Sequence, residues 1–238
     1  MEKDQKVLIG LIIFVLLVAL GIGSYLFITK KDSRPDAIKF KSEYESLNEK
    51  TDDNKEKYLK VDISEDNLYV YKNDSEILDV LKNKTGIILF GYSKCSYCRS
   101  MVSILNDVAK EHKLDTIYYL DILNIRDSYE IMEQTVVKLT SGTNSYYEML
   151  NILSEYLSDY YIKDSNDVEY NTGVKRIYAP TVVAVKDGKI VGFHEGTLDD
   201  VLNNKELDKK QEKELKKIYE KMIKEITGED CKDKKCKN

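Results

Sequence analysis

The 238-residue chain carries 42 Asp and Glu against 37 Lys and Arg, a formal net charge of -5. That balance supplies no general attraction for nucleic acid or for anionic lipid, so nucleic acid is not expected as a partner. The 42% hydrophobic content suffices for a packed core, and the length suits one large domain or two small ones. Tyrosine is abundant (18) and tryptophan absent, a usage that, with the many Lys, Ile and Asn residues, fits an AT-rich bacterial genome.

Residues 7–28 carry no charge, are dominated by Leu, Ile, Val and Phe, and are flanked by Lys6 and by Lys30 with Lys31. As a helix they would span roughly 33 Å, the thickness of a bilayer core. The run exceeds a signal-peptide core, and no small-x-small cleavage site follows it, so one uncleaved transmembrane anchor is expected over residues 1–29. Lys30, Lys31, Arg34 and Lys39 after the run outnumber Lys3 and Lys6 before it, which by the positive-inside rule leans toward a cytoplasmic C-terminal part.

Residues 30–66 are rich in Lys, Glu, Asp and Asn, and read as a polar stalk with one short helix around Phe40 to Leu47. A first strand is predicted over 68–71. A helix follows from a cap at Asp74 or Ser75, with Ile77, Leu78, Val80 and Leu81 on one side and Gly86 at its end. The apolar run 87–92 predicts a buried central strand leading straight into Cys95-Ser96-Tyr97-Cys98. Met101, Val102, Leu105, Val108 and Ala109 recur at helical spacing, which puts Cys95 at a helix N-terminus and Cys98 in its first turn. A strand over 116–120 completes a β-α-β-α-β order, favouring an open α/β sheet.

From 127 to 162 the pattern reads as helical, with Gly142 separating two helices, and 163–172 reads as a polar loop. Strands over 181–185 and 189–193 flank Asp187-Gly188, a strong hairpin signal. A long amphipathic helix carrying Leu215, Ile218, Tyr219, Met222, Ile223 and Ile226 ends at Gly228. Residues 67–228 are thus expected as one domain with a helical insertion at about 127–162, followed by a charged tail, 229–238, that holds Cys231 and Cys236.

Two cysteines two residues apart at a helix start suit one reversible disulfide. Helix N-terminal N–H groups favour a thiolate at Cys95, and Lys94 next to it adds positive charge, so Cys95 is the expected nucleophile and Cys98 the resolving thiol. Such chemistry needs no cofactor beyond the Cys95 to Cys98 disulfide and no metal. Two competing readings are a structural disulfide and a zinc site made of Cys95, Cys98, Cys231 and Cys236. The tail pair, Cys231 and Cys236, has spacing compatible with a local disulfide, a second redox relay, metal binding or an intermolecular link. His112 and His194 are isolated and read as surface or packing residues.

The block from Phe90 through Cys95-Ser96-Tyr97-Cys98 to Arg99, together with Ile177-Tyr178-Ala179-Pro180-Thr181 and the apolar strand and Asp-Gly turn after it, resembles the thioredoxin superfamily. The resemblance covers about 68–226. It implies a thioredoxin-like α/β fold and a cis Ala179-Pro180 bond facing Cys95. It further implies a substrate-binding role for Ala179, Pro180 and Thr181, with Ser96 and Tyr97 supporting the cysteines. More narrowly, the chain is similar to membrane-tethered thioredoxin-like proteins of low-GC Gram-positive bacteria, some labelled bacteriocin transport accessory proteins. That likeness implies a thiol-disulfide oxidoreductase on the outer side of a bacterial cell membrane, against the charge count. Its partners would be thiol- or disulfide-containing proteins and a redox partner. The alternative is a non-catalytic membrane-tethered binding or assembly factor. One departure stands out: the buried acid that thioredoxins carry six residues before the first cysteine is here Leu89.

Overall fold

The computed structural model describes residues 34–228. The transmembrane expectation for residues 7–28 and the tail cysteines Cys231 and Cys236 lie outside the described residues. Among the described residues no helix is long and apolar enough to cross a membrane.

A five-stranded mixed sheet forms the centre, in the order β1 (Tyr69–Tyr71), β3 (Ile117–Asp121), β2 (Gly86–Gly91), β8 (Thr181–Lys186), β9 (Lys189–Glu195). β1, β3 and β2 run parallel; β8 is antiparallel to β2, and β9 to β8. Period-2 alternation sends successive side chains to opposite faces. Ile87 and Leu89 join one cluster while Ile88 and Phe90 join the other, and Val182 and Ala184 alternate in the same way with Val183 and Val185. Helices α1 (Arg34–Glu45), α3 (Ser96–Glu111) and α5 (Lys209–Thr227) bury apolar residues in the first cluster, and α2 (Asp74–Asn83) and α4 (Asn144–Ile152) in the second.

Local signals explain the element ends. The cap of α2 is Asn73, ahead of both Asp74 and Ser75, the expected candidates. Its side chain accepts from the Glu76 N–H, and Glu76 reaches back to the Asn73 N–H. Gly86 opens β2 instead of ending α2, whose C-cap is Lys84. The β8 to β9 turn uses Asp187 (φ 50°) and Gly188 (φ 72°), the left-handed pair a two-residue hairpin needs. α5 starts at an Asp208 capping box and stops at Gly228 (φ 71°).

Three expectations are corrected. The polar stalk is part of the folded domain. Ala37, Phe40 and Tyr44 lie on one stripe of α1 and are buried, as are Val61 and Ile63. Phe40 stacks on Tyr69 with ring centroids 3.8 Å apart and on Tyr44 at 4.4 Å. Three residues at i, i+3 and i+7 are few for a composition count, yet they make a full helix face. The insertion, expected to be helical, contains two hairpins, β4 (Ser128–Met132) with β5 (Thr135–Thr140) and β6 (Asp159–Lys163) with β7 (Glu169–Lys175), and one helix, α4. Gly142 therefore lies between a hairpin and a helix. The β4 to β5 turn puts Glu133 and Gln134 at φ 48° and 63°, a conformation without the usual Asn-Gly or Asp-Gly signature. The stretch read as a polar loop, 163–172, holds the second hairpin turn and much of β7.

Candidate functional site

Strand β2 ends at Gly91 and the chain turns through Tyr92 and Ser93, with the Cys95 N–H donating to the Tyr92 carbonyl at 3.1 Å. Cys95 is the N-cap of α3: its Sγ accepts from the Cys98 N–H at 3.2 Å, meeting one of the donors that every helix start leaves unpaired. On its other side Cys95 Sγ lies 3.3 Å from the Ala179 carbonyl, where a thiol donates. The Ala179-Pro180 bond is cis. Both cysteines are unpaired thiols; Cys95 is 6% exposed and Cys98 fully buried. Cys98 Sγ packs against Gly91, where a Cβ would come within 3.2 Å of the sulfur.

The two thiols are pulled in opposite directions. The hydrogen bond with Cys98 holds Cys95 below the usual thiol range despite burial, helped by the Cys98 and Tyr97 N–H groups and by the Arg126 guanidinium. Burial pushes Cys98 well up, and the neighbouring Cys95 adds to that. One sulfur is therefore suited to attack as a thiolate while the other keeps its proton.

The cation expected beside the nucleophile was Lys94, which is exposed at the rim. A second cation, Arg126, helps lower the Cys95 pKa, and its guanidinium lies 5.5 Å from the centre of the Tyr92 ring. Arg126 is distant in sequence and carried by the loop after β3, so no local pattern pointed to it. Arg99 was also missed as a site residue. It is 3% exposed, yet no carboxylate faces it among the bonds it makes. Its Nε donates to the Leu59 carbonyl (2.6 Å), one terminal nitrogen to the carbonyls of Tyr44 (2.8 Å) and Ser93 (3.1 Å), and the other to Asn48 Oδ1 (2.8 Å). Burial lowers its pKa from the ordinary guanidinium value. A signal was present: a charge on the apolar stripe of α3, between Cys98 and Val102.

A groove of about 420 Å³ opens at Cys95. Tyr92, Ser96 and Tyr97 from the start of α3 and the loop before it line it together with Ala179. Residues of the 52–58 turn and Asn203 with Asn204 supply the opposing walls. Of the three residues expected to meet substrate, Ala179 lines the groove. Pro180 is buried, and its carbonyl already accepts from the Gly196 N–H at 2.7 Å. Thr181 is wholly buried in β8, opposite Phe90, with its hydroxyl donating to the Tyr178 carbonyl at 2.7 Å. His194 packs edge-on to Tyr219, and burial lowers its pKa; His112 is the C-cap of α3. Among the described residues no group of three or more His, Cys, Asp or Glu side chains is placed to hold a metal ion. No protein-family model matches the chain, and no curated protein matches it.

Proposed function

We propose that the chain is a membrane-anchored thiol-disulfide oxidoreductase of thioredoxin-like fold. The observation that carries this reading is Cys95 Sγ at the start of α3, held between the Cys98 N–H and the Ala179 carbonyl beside a cis Ala179-Pro180 bond. The fold reading is supported by the order β1-α2-β2-α3-β3, followed by the β8 to β9 hairpin and a closing helix on a mixed sheet. The two hairpins and α4 are then an insertion into that plan, and residues 34–67 an N-terminal addition to it.

In the reaction, the Cys95 thiolate attacks one sulfur of a partner's disulfide. That bond breaks, a Cys95-partner disulfide forms, and the second partner sulfur leaves as a thiolate that takes up a proton. Cys98 then gives up its proton and attacks Cys95 Sγ. The mixed disulfide breaks, a Cys95-Cys98 disulfide forms, and the first partner sulfur is released as a thiol. Two electrons pass from the dithiol to the partner, and the reverse sequence oxidises a dithiol partner. A second redox protein restores the starting state. Residues 7–28 would hold the domain at the outer face of a bacterial cell membrane.

The test is the reduction potential of the pair, by alkylation trapping of the full-length chain in thiol-disulfide buffers, with a Cys231→Ser, Cys236→Ser variant as control. A reversible potential between roughly -270 and -120 mV supports an exchange enzyme, and its value indicates direction. Thiols that never alkylate in the native fold, or a disulfide that resists reduction, would leave the tethered binding factor in its place.

A further inference from the structure

The groove over Cys95 has walls that come from segments far apart in the chain. One is the turn of residues 51–57, closed by a bridge between Thr51 and Lys57 and stiffened by Asp52 Oδ1, which accepts the N–H groups of Asn54 and Glu56 at 2.9 Å each. Arg99 fixes its exit through the Leu59 carbonyl. The other wall is the loop that follows the buried Val201.

Asn204 ties these walls to the cysteine motif. Its N–H donates to Ser96 Oγ at 2.7 Å, and its side-chain amide donates to Glu56 Oε2 at 3.2 Å and to the Lys57 carbonyl at 3.0 Å. The backbone at Asn204 is left-handed (φ 56°), a conformation asparagine tolerates better than most residues. In the same groove Cys95 is only 6% exposed. The groove's volume of about 420 Å³ falls in the ~300–1,000 Å³ range of small-ligand pockets. A stable protein surface contact instead needs about 800 Å² from each partner.

We infer that Asn204 determines which disulfides reach Cys95. By holding the 51–57 turn to Ser96 it keeps the groove narrow, so the site takes a cysteine on a flexible, extended segment and refuses one embedded in a folded surface. This rests on Cys95 being the exchanging nucleophile, but the barrier itself is steric and can be measured without any exchange. The reduced full-length chain is treated with N-ethylmaleimide and, separately, with a maleimide carrying a large polymer, and modification of Cys95 is read by peptide mass. Glutathione gives the size dependence of an unhindered thiol.

In the wild-type chain the small reagent is expected to outpace the large one by about tenfold more than it does on glutathione. Asn204→Gly, which keeps the left-handed backbone and loses two hydrogen bonds, is expected to remove most of that factor. Ser96→Ala, which removes the tie from the motif side without touching the loop backbone, is expected to act in the same direction. A wild-type ratio equal to that of glutathione, or a ratio unmoved in both variants, overturns the inference. A chain that shows the size filter but has no reversible potential defeats the exchange reading alone. One that exchanges disulfides without the filter defeats only the role of Asn204.

Discussion

Residues 34–67, read as a polar stalk, and residues 128–175, read mostly as helical, both flank the central sheet, yet they are built into the molecule in different ways. The first segment drives Phe40 and Tyr44 into the core under α3 and β3 and is stitched down by paired polar groups. Asn48 exchanges two hydrogen bonds with Val61, and the Asn67 amide donates to the Ala37 carbonyl. The second buries Tyr146, Met149 and Leu153 from α4 and its end in the other cluster, while its two hairpins lie mostly on the surface. Met132, Leu139, Tyr161 and Val168 are each about half exposed, and the hairpins are held by an aromatic chain from Tyr129 to Tyr160 to Tyr178 and by Arg176, 3.9 Å over Tyr160. Neither reading anticipated this. What separates them is whether a few large side chains share one face and whether the sheet leaves that face room.

Phe40→Ala should give the largest effect, removing a fully buried ring at a cost of about 3–5 kcal/mol, read as a lower urea midpoint. A cost near zero would mean that the segment is the solvated stalk its composition suggests. Next, Arg99→Ala leaves the half-buried Leu59 and Ser93 carbonyls without the guanidinium, with the Tyr44 carbonyl keeping only the Leu47 N–H, and should cost roughly 3 kcal/mol. Arg99→Lys should recover little, because an ammonium cannot reproduce the guanidinium fork. Proteolysis should then cut first within 46–60, the part Arg99 holds.

Gly91→Ala places a Cβ 3.2 Å from Cys98 Sγ and should cost about 1–3 kcal/mol of stability. It should slow closure of the Cys95-Cys98 disulfide more than the first alkylation of Cys95, since only the buried sulfur is crowded. Smaller still is the effect of charge. Because the folded state depresses the Cys95 pKa, its alkylation should stay fast as pH falls below the ordinary thiol value of ~8.5, and be lost only at lower pH. Arg126→Gln should move that midpoint upward, toward an ordinary thiol, and Lys94→Gln should move it less. At the far end, Leu139→Ala on the exposed side of the second region should change stability by no more than about 0.5 kcal/mol. A loss comparable to that of Phe40→Ala would erase the contrast between the two regions.

Much of this was legible along the chain. The strand entering Cys95, the helix leaving Cys98, the Asp187-Gly188 hairpin and the buried face of α5 follow from periodicity and turn chemistry, which act over a few residues. The β4 to β5 hairpin was not legible, because its turn lacks glycine and Ile131, Val136, Val137 and Leu139 fit a helical spacing as well as a strand pairing. Thr181 shows the same limit within the site: its place in the motif suggested substrate contact, but β8 lies between β2 and β9 and is covered on both faces, which buries it.

By itself, then, the sequence determined the central β-α-β-α-β order, the position of Cys95 at a helix N-terminus and that of Cys98 in the first turn, since each depends on neighbours within a turn or a strand. Tertiary structure alone decided that the polar N-terminal segment is core, that Arg126 bears on Cys95, and that Asn204 joins the groove's walls. Those facts rest on contacts such as Arg99 with Leu59, 40 residues away, and Asn204 with Ser96, 108 away. Over such separations the fold sets proximity, and the local pattern does not name the partner.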